Sequence, residues 1–278
     1  MRSTLPPVDS CPISTFDGTK VFVLDMDGTI YLDTTWIDGA KNFLDRIKRS
    51  GRRFILLTNN SSKDPSSYIS KLHTMGYAIG DEEIITSGQA ATWYLNKHYQ
   101  NKRVFLLGNQ LLKNEFLASG IVLDDMNPEV VVIGFDTELT YSSMTKACDF
   151  VRSGLPYIAT HPDLNCPTSS GFIPDAGAIM AFVQASSNRT PDTVIGKPNT
   201  PITDYLMERL VELGFESIQR GEIAMVGDRL YTDIAAGNNA GFVSVLVLSG
   251  ESTLDDAQSS PYLPNHVFTS VKEIPLSM

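Results

Sequence analysis

The sequence predicts an α/β fold built on a mostly parallel sheet. Three observations carry that prediction. Strand and helix signals alternate from about residue 20 onward, as they do in successive βα units. Several strand signals are continuous apolar runs, such as Val21-Phe22-Val23-Leu24 and Phe54-Ile55-Leu56-Leu57, the pattern of buried strands. Small or charged polar residues stand directly after four of these runs, where open α/β sheets bind their ligands.

The elements follow in order. Val21–Leu24 is the first strand. Ala40, Phe43, Leu44 and Ile47 form a helical stripe that ends at Gly51, and Phe54–Leu57 is the second strand. Asp64 reads as an N-cap with Pro65 at the first helical position, and Tyr68, Ile69 and Leu72 make the buried stripe. Ile84-Ile85 is a short strand, and Ser87 is expected to cap a helix through Leu95. Val104–Leu107, Val130–Ile133 and Tyr157–Ala159 read as strands. Met144, Ala147, Phe150 and Val151 mark one helix, and Gly177–Ala185 another. Thr200-Pro201 opens a helix running to Gly214. Ile223–Val226 and Val243–Leu248 are strands flanking a helix at Asp233–Ala240. No internal repeat or low-complexity tract interrupts this order. The first sixteen residues, with three prolines, read as a loosely held lead-in.

The 278 residues allow one large domain or two modest ones. Hydrophobic residues make up 42% and charged residues 19%, which excludes a disordered chain. The net charge of −10 argues against nucleic acid or an anionic membrane as partner. Cys11, Cys148 and Cys166 are odd in number and widely spaced, so neither a disulfide framework nor a zinc site is expected. The opening segment lacks the apolar stretch of a signal peptide. The apolar run Phe242–Leu248 is too short to span a bilayer. The expected setting is the cytoplasm, with reduced thiols.

Four strand ends carry the chemistry. Asp25-Met26-Asp27-Gly28-Thr29 follows the first strand, and Thr58-Asn59-Asn60-Ser61 follows the second. Gly196-Lys197-Pro198 follows Val194-Ile195, and Gly227-Asp228-Arg229 precedes Thr232-Asp233. Alternation along extended backbone would point Asp25 and Asp27 to one side. In one parallel sheet the four ends would share an edge. Acids, a hydroxyl with backbone amides and a lysine are what a phosphoryl group and a hard divalent cation require. Mg²⁺ takes one or two carboxylates together with phosphate oxygens and water. Asp25 and Asp228 are the candidate ligands, with Asp233 acting through water or from behind. Thr58 and the amide of Asn59 can donate to phosphate oxygens, and Lys197 supplies positive charge. An aspartate can attack phosphorus, while a second carboxyl protonates the leaving oxygen and then activates water.

These four motifs, in this order, resemble motifs I to IV of the haloacid dehalogenase superfamily. More narrowly, Thr58-Asn59-Asn60-Ser61, Ile158–Asp163 and Pro174–Ala178 resemble its NagD / p-nitrophenylphosphatase-like subfamily. The resemblance implies a Rossmann-like three-layer core from residues 1–86 and 187–278, with an α/β cap from 87–186 inserted between them. It implies Mg²⁺-dependent hydrolysis of small phosphomonoesters, such as nucleotide or sugar phosphates. Asp25 would be nucleophile and metal ligand, and Asp27 general acid/base with its carbonyl on the metal. Thr58, Asn59 and Asn60 would bind phosphate, Lys197 would orient it, and Asp228 with Asp233 would complete the metal site. Cap residues His161, Asp163 and Asp175 would face the leaving group. Similar proteins form dimers through the cap, so a homodimer of that kind is consistent with the resemblance.

Two departures from the family pattern stand out. His161 occupies a place commonly held by Asn, and Asp175 one commonly held by Gly. An acid at 175 would repel a second anionic group, or bind an amine or hydroxyls. Other readings of the same residues are a phosphotransferase, a dehalogenase needing neither Mg²⁺ nor Asp27, and a non-catalytic phosphate sensor.

Overall fold

A computed structural model describes residues 5–168 and 171–277. The chain divides into two compact units. One comprises 1–58, 69–85 and 206–278, the other 59–68 and 86–205.

The first unit is built on a six-stranded sheet. Its strand order is His266–Phe268, Val243–Val247, Ile223–Gly227, Val21–Leu24, Arg53–Thr58 and Ile84–Thr86. Val21–Leu24 lies inside the sheet, and all four of its residues are buried. It runs parallel to both neighbours, with Leu24 beside Val226 and Leu56. This register brings Asp25, the residues after Val226 and the end of Arg53–Thr58 to one edge. The helix Ala40–Arg49 buries Ala40, Phe43, Leu44 and Ile47, the predicted stripe. The chain turns away at Gly51, whose φ is 74°.

Two expectations for this unit are corrected. The lead-in is not loosely held from residue 5 onward. Asp9 N donates to Val267 O at 3.0 Å, and Phe16 is buried against Phe22 and Phe268. Residues 1–4 lie outside the described residues. The helix expected at Asp233–Ala240 begins earlier, as one π-helical turn Leu230–Ile234 that leads into Ala235–Ala240. Such turns gather where a side chain must be re-aimed toward a site.

The second unit has its own parallel sheet, ordered Thr193–Val194, Tyr157–Ala159, Val130–Ile133, Arg103–Leu107, Val122–Leu123. Tyr141–Arg152 and Ala176–Ser187 pack on it, burying Ala147, Val151, Ile179 and Val183 with Phe105, Val131 and Tyr157. Thr86 caps the helix Ser87–His98 in place of Ser87. Its hydroxyl accepts from Gln89 N at 3.1 Å, and the Gln89 side chain accepts from Thr86 N at 3.1 Å. An antiparallel hairpin, Asn165–Thr168 with Gly171–Pro174, has no counterpart in the sequence reading. It is largely solvent-exposed, so no buried alternation marks it.

The expectation that four strand ends share one sheet edge is also corrected. Three of them belong to the first sheet. The strand before Lys197, Thr193–Val194, pairs with Tyr157–Ala159 in the second sheet. The second unit runs to residue 205 and includes Lys197.

Candidate functional site

The first cluster grows from the central strand of the six-stranded sheet. Val21–Leu24 ends at Leu24, and Asp25 N still donates to Val226 O at 2.9 Å. The backbone then leaves extended geometry. Met26 O accepts from Thr29 N at 3.2 Å and Ile30 N at 2.9 Å, while Gly28 N donates to Tyr31 O at 2.8 Å. Strand alternation therefore does not govern Asp27, which sits within this turn. Gly28 has φ 89°, and a side chain there would press into the Asp228 carboxylate.

Carboxylate oxygens of Asp25, Asp228 and Asp233 all lie within 4.8 Å of one another. The Asp27 carboxylate is outside this group of three. Asp228 and Asp233 are buried, at 2% and 0% exposure. Asp228 is held by Glu251 N at 2.7 Å and by the Thr29 hydroxyl at 3.2 Å. Asp233 accepts from Arg229 N at 3.1 Å. Burial, with Asp233 beside it, pushes the Asp228 carboxyl up to about 6. Arg229 lies at this cluster with its Nε 2.9 Å from Glu251 Oε2. Burial would lower its guanidinium, but Asp25, Glu251 and Asp228 outweigh that and raise it. Three crowded carboxylates, two of them out of water, fit a divalent cation with oxygen preference. Thr58, also in this unit, ends its strand at 8% exposure.

Thr29 and Arg229 stand in the motifs read from the sequence but were given no role there, and the Ser249–Glu251 loop was not singled out. Ser249 Oγ donates to Gly28 O at 2.8 Å, which ties that loop to the aspartate turn. The available signal was a Ser-Gly-Glu step after the buried run ending at Leu248.

The second cluster lies wholly in the other unit. Lys197 is 2% exposed, and Asn59 grips its peptide from both sides. Lys197 N donates to Asn59 Oδ1 at 2.8 Å, and Asn59 Nδ2 donates to Lys197 O at 2.9 Å. The same Nδ2 lies 3.1 and 3.2 Å from the Asp163 carboxylate oxygens. Ser87 Oγ donates to Asn59 O. The Asn59 side chain is thus engaged with Lys197 and Asp163. Asn60 turns back on its own loop, accepting from Ser62 N at 2.8 Å. His161 is fully buried, with Nδ1 3.7 Å from Asp163 Oδ2 and Nε2 3.4 Å from Asp175 Oδ1. Asp175 is the N-cap of Ala176–Ser187 and is 3% exposed.

Comparison with known proteins adds an independent line. A family model described as haloacid dehalogenase-like hydrolase matches residues 22–122, and a second, described as HAD-hydrolase-like, matches 194–274. An acid sugar phosphatase of Staphylococcus aureus is 36% identical over 255 residues, spanning 91% of this chain and 96% of its own. The crystal structure of a 4-nitrophenylphosphatase from Thermotoga maritima superposes with TM-score 0.88 at 45% identity, covering 94% of this chain and 97% of that one. NagD from E. coli K-12 gives TM-score 0.84 at 33% identity, covering 92% and 98%.

Proposed function

This chain belongs to the haloacid dehalogenase-like hydrolases, and on that premise we propose that it is a Mg²⁺-dependent phosphatase acting on small phosphomonoesters through an aspartyl-phosphate at Asp25. The observation that carries the reading is the convergence of Asp25, Asp228 and Asp233 within 4.8 Å. These residues would hold Mg²⁺, which supplies Lewis-acid charge to the phosphoryl oxygens when bound.

The remaining steps use the chain's own groups. The Asp25 carboxylate attacks phosphorus, and the P–O bond to the leaving group breaks. Asp27 gives its proton to the departing alkoxide, which leaves as the alcohol. Asp27, now ionised, takes a proton from water, and the resulting hydroxide attacks the phosphorus of the acyl phosphate. Inorganic phosphate departs and Asp25 is regenerated. The Thr58 hydroxyl and Asn59 amide donate to phosphoryl oxygens, and Lys197 offsets their charge. The second compact unit takes the part of the cap. Aryl and sugar phosphates head the substrate range, following the names of the relatives. No described helix is long and apolar enough to cross a membrane.

The test is turnover of p-nitrophenyl phosphate with and without Mg²⁺, beside Asp25→Asn. Wild-type turnover that needs Mg²⁺ and is lost in the variant is expected. Full activity in Asp25→Asn would overturn the mechanism.

A further inference from the structure

Asp228 is held by a loop outside any helix or strand. Ser249–Ser252 follows the strand Val243–Val247, and Glu251 N donates to Asp228 Oδ2 at 2.7 Å. A loop positions a metal ligand well only when the loop itself is fixed. Here the Glu251 side chain returns to the residues beside Asp228. Its Oε2 lies 2.9 Å from Arg229 Nε, and its Oε1 accepts from the Tyr231 hydroxyl at 2.9 Å. We propose that Glu251, locked by Arg229 and Tyr231, is a positioning residue that sets the affinity of the acidic cluster for its divalent cation. That cation is the Mg²⁺ of the phosphatase reading above, on which this role rests.

The carboxylate geometry carries the first step. Each carboxylate oxygen can accept about two hydrogen bonds. The Thr29 hydroxyl takes one site on Asp228 Oδ1 at 3.2 Å, and Glu251 N takes one on Oδ2. Two donors on opposite oxygens fix the plane of the group and leave acceptor capacity on each oxygen for a cation. The loop is clasped at further points. Ser252 N donates to Asp228 O at 3.1 Å, Leu230 N to Ser252 Oγ at 3.3 Å, and Ser249 Oγ to Gly28 O at 2.8 Å. A Cβ at Gly250 would fall on the Asp228 carboxylate, so only glycine lets the loop approach this closely.

The same brace reaches the second buried acid. Arg229 N donates to Asp233 Oδ2 at 3.1 Å, and Arg229 O accepts from Asp233 N at 3.0 Å. The backbone of Arg229 thus holds Asp233, while its guanidinium holds the residue that holds Asp228. Glu251 would otherwise bring a further negative charge to three crowded carboxylates, and Arg229 offsets it. The Glu251 side chain is 45% exposed. An ion pair so open to water contributes little to folding. Its removal should therefore be felt at the metal site more than in the stability of the fold. Groups that orient metal ligands from behind act in this way, by fixing the ligand and not by touching the ion.

The experiment titrates Mg²⁺ into wild type, Glu251→Ala, Glu251→Gln and Gly250→Ala by calorimetry without substrate. It then follows p-nitrophenyl phosphate turnover across the same Mg²⁺ range. Glu251→Ala should bind Mg²⁺ about 10- to 100-fold more weakly, with kcat recovered once Mg²⁺ is saturating. Glu251→Gln keeps an oxygen for the Tyr231 hydroxyl and should lie between wild type and Glu251→Ala. Gly250→Ala displaces the Asp228 carboxylate and should lose at least as much affinity as Glu251→Ala. The metal-free Glu251→Ala protein should melt close to wild type. Wild-type Mg²⁺ affinity in Glu251→Ala overturns the proposal, as does a loss of kcat that saturating Mg²⁺ does not restore. Failure of the phosphatase reading appears separately. A wild type that binds Mg²⁺ without turnover removes that reading and leaves the brace, whereas a wild type that binds no Mg²⁺ overturns both.

Discussion

Replacing Asp228 by Asn should change the pH dependence of stability in a direction the acidic cluster dictates. Burial and Asp233 raise the Asp228 carboxyl from 3.8 to about 6. A tenfold change in proton affinity is worth about 1.4 kcal/mol, so ionised Asp228 costs the folded protein roughly 3 kcal/mol at neutral pH. The folded state binds this proton more tightly than the unfolded state. Stability from this group is therefore greatest below about pH 4 and falls as pH rises through about 6. At about pH 5 the folded carboxyl is mostly protonated, which restores about 1.4 kcal/mol relative to neutral pH. Thermal unfolding without divalent cations is the assay. Between about pH 7.5 and 5, wild type should gain on Asp228→Asn by about 1.4 kcal/mol, on the order of 3–5 °C. Magnesium at about a hundred times its Kd should add about 2.7 kcal/mol to the wild type at neutral pH. It should add far less to the variant. A stability difference that stays flat between the two pH values, or equal stabilisation of both proteins by Mg²⁺, would refute the reasoning.

Other perturbations probe separate parts of the structure. Gly28→Ala places a side chain at φ 89° and against the Asp228 carboxylate; a fall in kcat/KM of more than about tenfold is expected in steady-state assays. Asp27→Asn should lower kcat by about 10²- to 10⁴-fold while Mg²⁺ still raises the melting temperature, since its carboxylate lies outside the group of three. Asn59→Ala releases the Lys197 peptide and leaves its buried N–H without the Asn59 acceptor; denaturant unfolding should show a loss of about 1–3 kcal/mol. Burial, with Asp64 adding to it, raises Glu115 to about 7, so its ionised form weakens the fold above that pH. Glu115→Gln should accordingly stabilise the protein at about pH 8 by about 1–3 kcal/mol and much less at about pH 5, read from urea midpoints.

The core sheet was legible because its strands announce themselves. Val21–Leu24 and Phe54–Leu57 are unbroken apolar runs, and strands buried on both faces need that composition. Asp64-Pro65 marked its helix start correctly, with Asp64 Oδ1 accepting from Ser67 N at 2.9 Å. Short or exposed elements were not legible. The strand His266–Phe268 has three residues and follows no long apolar run. The hairpin Asn165–Thr168 with Gly171–Pro174 has few buried residues to create a period. The capping shift from Ser87 to Thr86 is a one-residue ambiguity between adjacent hydroxyls, resolved by the reciprocal bond to Gln89.

By itself the sequence determined the α/β alternation, the polar residues at each strand end and the order of the motifs. These are local properties, written in apolar runs and in the residues that stop them. Only the tertiary structure decided which ends belong together. Strand pairing sent the strand before Lys197 into the second sheet, because hydrogen-bonded partners are chosen by the packed fold and not by nearness in sequence. Side-chain packing likewise brought His161 to Asp175, fourteen positions apart in the numbering. The two side chains stand 3.4 Å apart because packing, not sequence spacing, sets which residues meet.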